Sequence, residues 1–214
     1  IDAGHGGQDS GAGGVYGNEK TYTLDTALKL GKLLAARGLK TKLTRDTDVF
    51  ITKDERYRIA NTTPKCIFVS IHYKSVGGRG ASGIETYALS PSGTASTDQP
   101  NKLTDGINRT GNSRDSENIA LATAVHAMVL YKVKCLDRGI RRARWTVLTG
   151  LQRAGILFEG GFVTNPEECA KINTSEYREL LAASICGGIL NYRNALMKRA
   201  APNAPTPPSA SAAR

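Results

Sequence analysis

Residues 1–19 read IDAGHGGQDSGAGGVYGNE, and the fold prediction starts from this stretch. Residues 1–3 are typical of the end of a β-strand, and Glu19 is typical of the start of a helix. Between them lies a loop in which seven positions are glycine, so its backbone can adopt turns that other residues cannot. We therefore expect the loop to fold back and bring Glu19 close to His5.

Glycine-rich loops that follow a strand also bind phosphate groups at helix N-termini. This loop matches neither G-x-x-x-x-G-K-S/T nor G-x-G-x-x-G, and the acidic Glu19 at the helix start would repel a phosphate. The imidazole of His5 and the carboxylate of Glu19 suit a cation better. The loop therefore predicts part of a cation site whose other ligands come from elsewhere in the chain.

The bulk composition limits the class of protein. A chain of 214 residues with 40% hydrophobic content is long enough for one domain with a sizeable core. Its formal charge of +10 implies attraction to a polyanion, which could be nucleic acid, anionic lipid or an acidic wall polymer. Because lysine and arginine are scattered, aromatic residues make up 6%, and no nucleic-acid motif is present, we expect no nucleic-acid partner.

The four cysteines lie far apart and form no C-x-x-C pair; they are Cys66, Cys135, Cys169 and Cys186. This spacing predicts neither a zinc knuckle nor a redox pair and favours buried thiols. One disulfide stays open if the protein is exported, with a pairing that sequence cannot decide. No apolar run is long enough to cross a bilayer, so we expect no transmembrane segment.

Hydrophobic periodicity and cap residues predict alternating strands and helices. Strands are expected at residues 1–3, 39–44, 66–72, 84–89, 145–148 and 155–159. Helices are expected at 21–37, 52–61 and 119–133, from Asn165-Pro166 onward, and over 177–192. The alternation indicates an α/β fold: a single domain with a largely parallel, twisted sheet of about six strands flanked by helices.

Two segments have a different composition. Residues 90–117 have few large apolar side chains and predict a long loop. From residue 198 onward the chain is rich in alanine, proline and serine, which predicts a domain over 1–197 and a disordered tail or linker over 198–214.

Candidate site residues lie where three predicted strands end. His5 and His72 each follow a strand, and Glu159 closes another in GILFEGG. In open α/β sheets, ligands bind at the carboxyl ends of the strands, so these side chains and Glu19 should converge. Two imidazoles and one carboxylate leave a fourth position open, as in catalytic zinc sites, and the second carboxylate is then available as a general base.

Four separated motifs resemble the zinc-dependent N-acetylmuramoyl-L-alanine amidases, cell-wall hydrolases of bacteria and phages. They are DAGHGGQDSGAGG with Glu19, LTRDTD with the following Glu55-Arg56 to Ala60-Asn61, FVSIH, and GILFEGGFVTNPEE. The motifs occur in the family's order and cover most of residues 1–195. The resemblance implies that His5, Glu19 and His72 bind Zn²⁺ and that Glu159 is the catalytic residue.

The resemblance also implies a reaction and a location. The family cleaves the amide between N-acetylmuramic acid and the L-alanine of the stem peptide, so the expected partner is peptidoglycan, both glycan strand and stem peptide. We expect a monomer that is periplasmic, secreted or associated with the cell wall. Where family members commonly have proline, this chain has Ala3 and Ala154. Tyr73-Lys74 replaces a small residue and asparagine after His72, which predicts a bulkier and more basic cleft wall.

Other polar residues have less specific interpretations. We expect His126 to be a partly exposed helix residue, Asp9 to hold the glycine-rich loop, and Arg45 and Arg56 to anchor loops or form ion pairs. The basic run is expected to form a solvated face or to meet stem-peptide carboxylates; it comprises Arg138, Arg141, Arg142 and Arg144. We also expect residues 90–117 to form a mobile wall beside an open site.

Two alternative functions stay open at this point. A zinc peptidase or deacetylase could use the same ligands on another amide. A catalytically inactive wall-binding module is the alternative outside the enzymes, and the intact Glu159 argues against it because a binder needs no general base.

Overall fold

The computed structural model describes residues 1–97 and 103–200. The strands are β1 (Asp2–Ala3), β2 (Phe68–Lys74), β3 (Ile84–Leu89), β4 (Asp137–Ala143) and β5 (Gly155–Phe162). The helices are α1 (Glu19–Ala36), α2 (Lys53–Thr62), α3 (Asp115–Lys132), α4 (Thr146–Thr149), α5 (Pro166–Asn173) and α6 (Ser175–Ala200). Short 3₁₀ turns occupy Leu103–Gly106 and Thr110–Arg114. Of the predicted tail, the first three residues belong to α6, and 201–214 lie outside the described residues.

The five strands form one mixed sheet in the order β1-β2-β5-β3-β4. Three of the four neighbouring pairs are parallel, and only β3 and β5 run antiparallel. The predicted α/β class and the largely parallel sheet are therefore confirmed. Since β3 reverses direction, the carboxyl ends of β1, β2 and β5 meet at the edge where β3 and β4 begin.

Helices cover the two faces of the sheet unequally. One face packs against α1, α3, α5 and α6 around a large apolar core that includes Ile71, Phe158 and Leu181. The opposite face packs against the short helices α2 and α4 in a smaller core. Because α2 has ten residues and α4 has four, this second face is only partly covered, which leaves room for a cleft.

Two helices begin with a capping side chain, and Asn165 is the one that was predicted as a cap. The side chain of Asn165 accepts hydrogen bonds from the backbone of Glu167 and Glu168, and Pro166 is the first residue of α5. At α2, the Thr52 hydroxyl accepts from the backbone of Glu55 at 3.2 Å. The predicted starts of both helices are confirmed, because these local hydrogen bonds satisfy amides that a helix leaves unpaired at its first turn.

Two predicted strands are wrong. Residues 39–44 form no strand; their backbone meets Ile1 through hydrogen bonds from Ile1 to Lys42 and from Thr44 to Ile1, and β1 is too short to extend this into a ladder. Residues 145–148 lie mostly in helix α4, whose Val147 and Leu148 pack into the smaller core. A short apolar run does not by periodicity distinguish a strand from a buried helix.

One strand was not predicted. β4 has the sequence DRGIRRA, in which four of the seven residues are charged, so its pattern is not that of an apolar strand. It pairs in parallel with β3 at the edge of the sheet. The basic run is therefore part of the sheet rather than a separate solvated face.

The four cysteines all lie in described positions and are unpaired, with Cys169 and Cys186 buried. Cys66 and Cys135 are half-buried, so the expectation of buried thiols fits two of the four cysteines. Among the described residues 1–97 and 103–200, we find no helix that is both long enough and apolar enough to span a bilayer.

Candidate metal centre and catalytic cleft

The candidate site lies at the carboxyl ends of β1, β2 and β5, on the face covered by α2 and α4. Side chains alternate along β2, so Ile71 and Tyr73 enter the large core while His72 and Lys74 face the cleft. On β5, Leu157 faces the smaller core and Glu159, two residues on, faces the same side. The period of two thus places His72 and Glu159 on one surface.

His5 is held in an unusual backbone conformation. Its φ of 59° lies in the left-handed region, which non-glycine residues seldom adopt. The Arg56 guanidinium donates to the carbonyl oxygens of Ala3 at 2.6 Å and His5 at 2.8 Å, and the Arg45 guanidinium donates to those of Ala3 and Gly4. These arginines anchor the loop, as expected, and compensate for the strained position.

Asp9 contacts both the loop and the first imidazole. Its Oδ1 accepts from the backbone of Gly11 at 3.0 Å, and its Oδ2 lies 2.9 Å from His5 Nδ1. The other ring nitrogen, Nε2, lies 3.0 Å from Glu19 Oε2. Asp9 therefore fixes the loop, as expected, and also orients the His5 ring towards Glu19.

Glu19 lies between the two imidazoles at the first turn of α1. Its Oε2 faces His5, and its Oε1 lies 3.0 Å from His72 Nδ1. Backbone amides of Ala12 and Tyr73 donate to the same carboxylate at 2.9 and 3.0 Å. Burial opposes ionisation, but the two imidazoles outweigh it and hold the pKa of Glu19 well below its usual range. The site thus contains a buried, ionised carboxylate.

Two glycines make room for these ligands. A Cβ at Gly4 would lie 2.4 Å from the His72 ring, and a Cβ at Gly11 would lie 2.7 Å from both Glu19 Oε2 and His5 Cδ2. Gly11 also has a φ of 65°. At these two positions the chain requires glycine because the candidate ligands occupy the space of a side chain.

Together these atoms fit a zinc site. One ligand atom from each of His5, Glu19 and His72 lies within 4.8 Å of the others. Two nitrogens and one carboxylate oxygen are the donor set of a catalytic zinc that keeps an open position. The structure brings all three predicted ligands into one cluster.

Glu159 lies directly beside the cluster. It is paired in register with His72 on β2 and, on its other side, with Glu85 on β3. Glu159 is 7% exposed, and it lines the same cleft as His5 and His72. A carboxylate next to the candidate metal ligands is in position to accept and donate a proton.

The cleft has a volume of about 330 Å³. Its lining includes Phe50 and Ile51, with Lys53 at the start of α2, and Trp145 with the first two residues of α4. The sequence analysis expected Tyr73 and Lys74 to make the cleft wall bulkier and more basic. Only the expectation for Lys74 fits this geometry. Lys74 lines the cleft, but the Tyr73 ring is 1% exposed and its hydroxyl is 2.7 Å from Thr26 Oγ1 in the large core.

Sequence reasoning overlooked an ionic network that reaches the cleft through Lys74. Glu85 Oε2 accepts from Lys74 Nζ at 2.7 Å and from the Tyr87 hydroxyl at 2.6 Å, while Oε1 accepts from Arg138 Nε at 2.6 Å. Arg141 Nε lies 3.6 Å from the same Oε1. The strand alternation of Glu85 and Tyr87 in IETYAL was the available signal, because it places both side chains on one face.

The expectations for His126 and the basic run need correction. His126 is buried, and its ring nitrogens lie 2.9 Å from Thr86 Oγ1 and Asp137 Oδ1. Of the basic run, Arg138 and Arg141 surround Glu85, while the other two bind the segment after β3. Carboxylates distant in sequence neutralise these arginines, which is why the run forms a strand rather than a solvated face.

Arg142 of β4 and Arg144 just after it hold the described parts of the 90–117 segment. Arg144 donates to Asp105 Oδ1 at 2.6 Å and to the carbonyl of Pro91 at 2.8 Å, and Arg142 pairs with Asp115. The cleft lining includes none of the described residues 90–97 and 103–117. In its described parts, the segment packs against β4 instead of forming a wall beside the candidate metal ligands.

Comparison with known proteins identifies the family of this chain. The family model described as N-acetylmuramoyl-L-alanine amidase matches residues 1–191. The amidase AmiA of Salmonella typhimurium is 29% identical over 215 positions, covering 90% of this chain and 74% of AmiA.

Solved structures show the same fold. The catalytic domain of the amidase CwlV from Bacillus (Paenibacillus) polymyxa var. colistinus superposes with a TM-score of 0.76 at 30% identity, covering 90% of this chain and 96% of CwlV. The amidase AmiC2 of Nostoc punctiforme gives 0.76 at 32% identity, with 90% and 94% covered. With its cluster of two histidines and a glutamate at the carboxyl edge of an α/β sheet, the chain belongs to the N-acetylmuramoyl-L-alanine amidase family of enzymes.

Proposed function

We propose that this protein is a zinc-dependent hydrolase that cleaves the amide between N-acetylmuramic acid and L-alanine in peptidoglycan. His5, Glu19 and His72 hold the metal, and Glu159 is the general base and acid. The observation that carries the proposal is the in-register pairing of His72 with Glu159, which puts a candidate base beside a candidate ligand in one cleft.

The residues of the chain divide the chemistry between them. Bound zinc supplies Lewis acidity, which makes water more acidic and polarises an amide carbonyl. Glu159 accepts a proton from the attacking water as the new carbon–oxygen bond forms. It then delivers that proton to the amide nitrogen as the carbon–nitrogen bond breaks. The products are a lactyl carboxylate on the sugar and a free amine on L-alanine.

The residues around the cluster keep it in place. Asp9 orients the His5 ring, and Arg45 and Arg56 hold the loop on which His5 lies. Glu19 is itself buried, so its carboxylate is shielded from bulk water. Such preorganisation reduces the reorganisation needed during the reaction.

The cellular setting is part of the proposal. We place the protein in the periplasm, in the secreted fraction or at the cell wall, where peptidoglycan is accessible. We propose that it acts as a monomer with its catalytic domain over residues 1–197, followed by a segment whose alanine, proline and serine content is that of a linker. The net charge of +10 supports attraction to an anionic wall.

The test is digestion of purified sacculi by native protein, chelator-treated protein and Glu159→Ala, with soluble products identified by mass. We expect intact stem peptides that begin at L-alanine, released by the native protein alone. A cut within the peptide would indicate a peptidase, and loss of acetyl groups would indicate a deacetylase. Sedimentation with sacculi without any product would indicate a binding module.

A further inference from the structure

We propose that Phe50 binds the N-acetylmuramic acid side of the substrate, with its phenyl ring against the apolar face of the sugar. Phe50 thereby makes the enzyme depend on the sugar as well as on the scissile amide. This inference rests on the proposed amidase function and names a residue that determines its specificity.

Phe50 combines an aromatic side chain with high exposure in the cleft. The residue is 44% exposed, and it lines the cleft together with His5 and Glu159. Phe50 is part of neither of the two apolar cores that the described residues form. Its ring therefore contributes little to the hydrophobic stabilisation of the fold. Aromatic side chains on the wall of a cleft are typical of surfaces that bind ligands.

The segment before Phe50 is anchored to the loop that carries His5. Asp48 Oδ1 accepts from the backbone of Gly7 at 2.8 Å, and Asp48 Oδ2 lies 2.6 Å from Lys20 Nζ. Lys20 Nζ also donates to the carbonyl of Gly7 at 2.9 Å. Because Gly7 lies two residues after His5, these bonds hold Phe50 beside a candidate metal ligand.

Two glycines allow the backbones of these segments to touch. A Cβ at Gly6 would lie 2.2 Å from the Val49 carbonyl oxygen, and a Cβ at Gly7 would lie 2.7 Å from the Phe50 nitrogen. The backbone of Phe50 is thus fixed by direct packing. A ligand that covers the ring has only the side chain of Phe50 to order, so binding costs less entropy than on a free loop.

Trp145 also lines the cleft, but its ring packs against the protein interior. It belongs to the smaller core, and its ring centroid lies 5.7 Å from that of Tyr87 on β3. In the sheet order β1-β2-β5-β3, Phe50 lies by the loop after β1, and Trp145 lies by β3. His72 and Glu159 are on the two strands between them. An amide held at Glu159 therefore has Phe50 on its β1 side.

The sugar side is the part of the substrate that matches an apolar ring. A pyranose presents a face of C–H bonds similar in width to a phenyl ring, and the acetyl and lactyl groups of N-acetylmuramic acid add methyl groups. The peptide side begins with one methyl group, on L-alanine, and continues with residues that bear carboxylates. Contact between Phe50 and the sugar removes apolar surface from water, whereas a carboxylate against the ring would lose hydration.

The first experiment compares two soluble substrates with the same scissile amide. One is an N-acetylmuramoyl peptide, and the other has the lactyl group without the sugar. Full burial of a phenylalanine side chain changes affinity by roughly 10- to 150-fold, and Phe50 is already partly buried, so we expect an effect of about tenfold. The native enzyme should have the lower KM for the substrate with the sugar. Phe50→Ala should raise that KM by about tenfold, with kcat unchanged, and should leave the KM for the sugar-free substrate as it is.

Two variants of the same segment are the controls. Phe50→Tyr keeps an aromatic ring and should keep the preference for the sugar. Val49→Ala removes a side chain of similar exposure, 45%, from a residue outside the described cleft lining, and should behave like the native protein. Zinc content and thermal unfolding of each variant report on folding. Phe50→Ala should retain both, because Phe50 belongs to neither core.

A binding measurement separates recognition from catalysis. The chain has one tryptophan, Trp145, which lines the cleft, so its fluorescence reports on a ligand bound there. In Glu159→Ala, which is expected to bind without cleavage, adding Phe50→Ala should weaken binding of the muropeptide by about tenfold. Binding of the sugar-free substrate should be the same with and without Phe50→Ala.

Three kinetic outcomes would overturn this role of Phe50 while the amidase function stands. They are equal KM values of the native enzyme for the two substrates, no effect of Phe50→Ala on the muropeptide, and a fall in kcat alone. An equal effect of Phe50→Ala on both substrates would also overturn it, because the ring would then contact the peptide side.

The sacculus digestion described above tests the amidase function separately. If the native enzyme releases stem peptides from sacculi but cleaves neither soluble substrate, the fluorescence titration alone decides the role of Phe50. If it releases none and cleaves neither substrate, the proposed function fails, and this inference fails with it.

Discussion

His72 and Glu159 are directly opposite one another on adjacent parallel strands, β2 and β5. Since both strands are buried in the middle of the sheet, the distance between the two backbones is set by the hydrogen-bond ladder rather than by a loop. The proposed general base is thereby held at a fixed distance from a proposed metal ligand.

The fixed spacing of β2 and β5 predicts the effect of shortening the side chain at position 159. Glu159→Asp moves the carboxylate back by one methylene while the strand stays in place. A misplacement of about 1 Å at a reacting group costs about 100-fold in rate, so we expect kcat to fall by that amount while zinc is retained. Zinc content by elemental analysis, together with rates on muropeptide, tests this. Loss of zinc along with activity would show that Glu159 helps to hold the metal instead.

The close approach of Glu19 and His5 to Gly11 predicts that a side chain at this position weakens metal binding. In Gly11→Ala, the new Cβ would meet Glu19 and His5 at 2.7 Å, and the residue would have to keep a φ of 65°. We expect weaker zinc binding, measured by competition with a chelating dye. Gly13→Ala is the control, because nothing lies within 4 Å of its Cβ and its φ is not positive. Equal zinc affinity in the two variants would show that the candidate ligands do not require glycine at position 11.

The buried pair of Asp2 and Arg56 predicts the acid response of stability. Burial raises the pKa of Asp2, but Arg56, Ser70 and Thr44 outweigh this and lower it below its ordinary value of 3.8. Asp2 therefore contributes stability above the unfolded pKa and loses it as the pH falls through the lower folded pKa. In Asp2→Asn that dependence is absent.

We expect Asp2→Asn to lose about 3 kcal/mol of unfolding free energy at neutral pH, because Arg56 is left as an uncompensated buried charge. Below about pH 4 the difference in unfolding free energy between Asp2→Asn and the native protein should become smaller. Urea unfolding of both metal-free proteins across this range is the measurement. A difference in unfolding free energy that is constant with pH would mean that folding does not lower the pKa of Asp2.

Arg144 predicts the stability of the segment after β3. Its guanidinium binds Asp105 and the carbonyls of Pro91 and Thr94. Arg144→Met should cost about 2 kcal/mol through these charge-assisted bonds and should increase proteolytic cleavage in residues 90–117. Limited proteolysis and thermal unfolding measure both effects.

The control for this prediction lies in the same segment. Arg114 pairs with Glu117 at 3.3 Å with both side chains largely exposed, and such surface pairs contribute little. Arg114→Met should therefore behave like the native protein. If both variants are cleaved equally fast, Arg144 does not hold the segment.

Residue patterns predicted the parts of the fold that depend on local interactions. The caps at Thr52 and Asn165 satisfy amides of their own helices, and the apolar run of β2 is buried on whichever sheet forms. The candidate ligands could be proposed because strands end in a common edge in this class of fold.

Long-range ionic contacts explain what the patterns missed. β4 and the residue after it are rich in arginine, and these arginines pair with Glu85, Asp105 and Asp115, which lie 27–56 positions away in the sequence. His126 is buried for the same kind of reason, through Thr86 on β3. Periodicity of hydrophobic residues carries no information about such partners.

The sequence by itself determined the α/β class, most helix boundaries and the candidate set His5, Glu19, His72 and Glu159, because strand ends, caps and glycine turns depend on neighbours in the chain. Only the tertiary structure decided that β3 runs antiparallel to β5 and that Lys74 faces the cleft while Tyr73 is buried. The physical reason is that strand pairing, burial and charge compensation join residues distant in sequence, and only the folded chain specifies those partners.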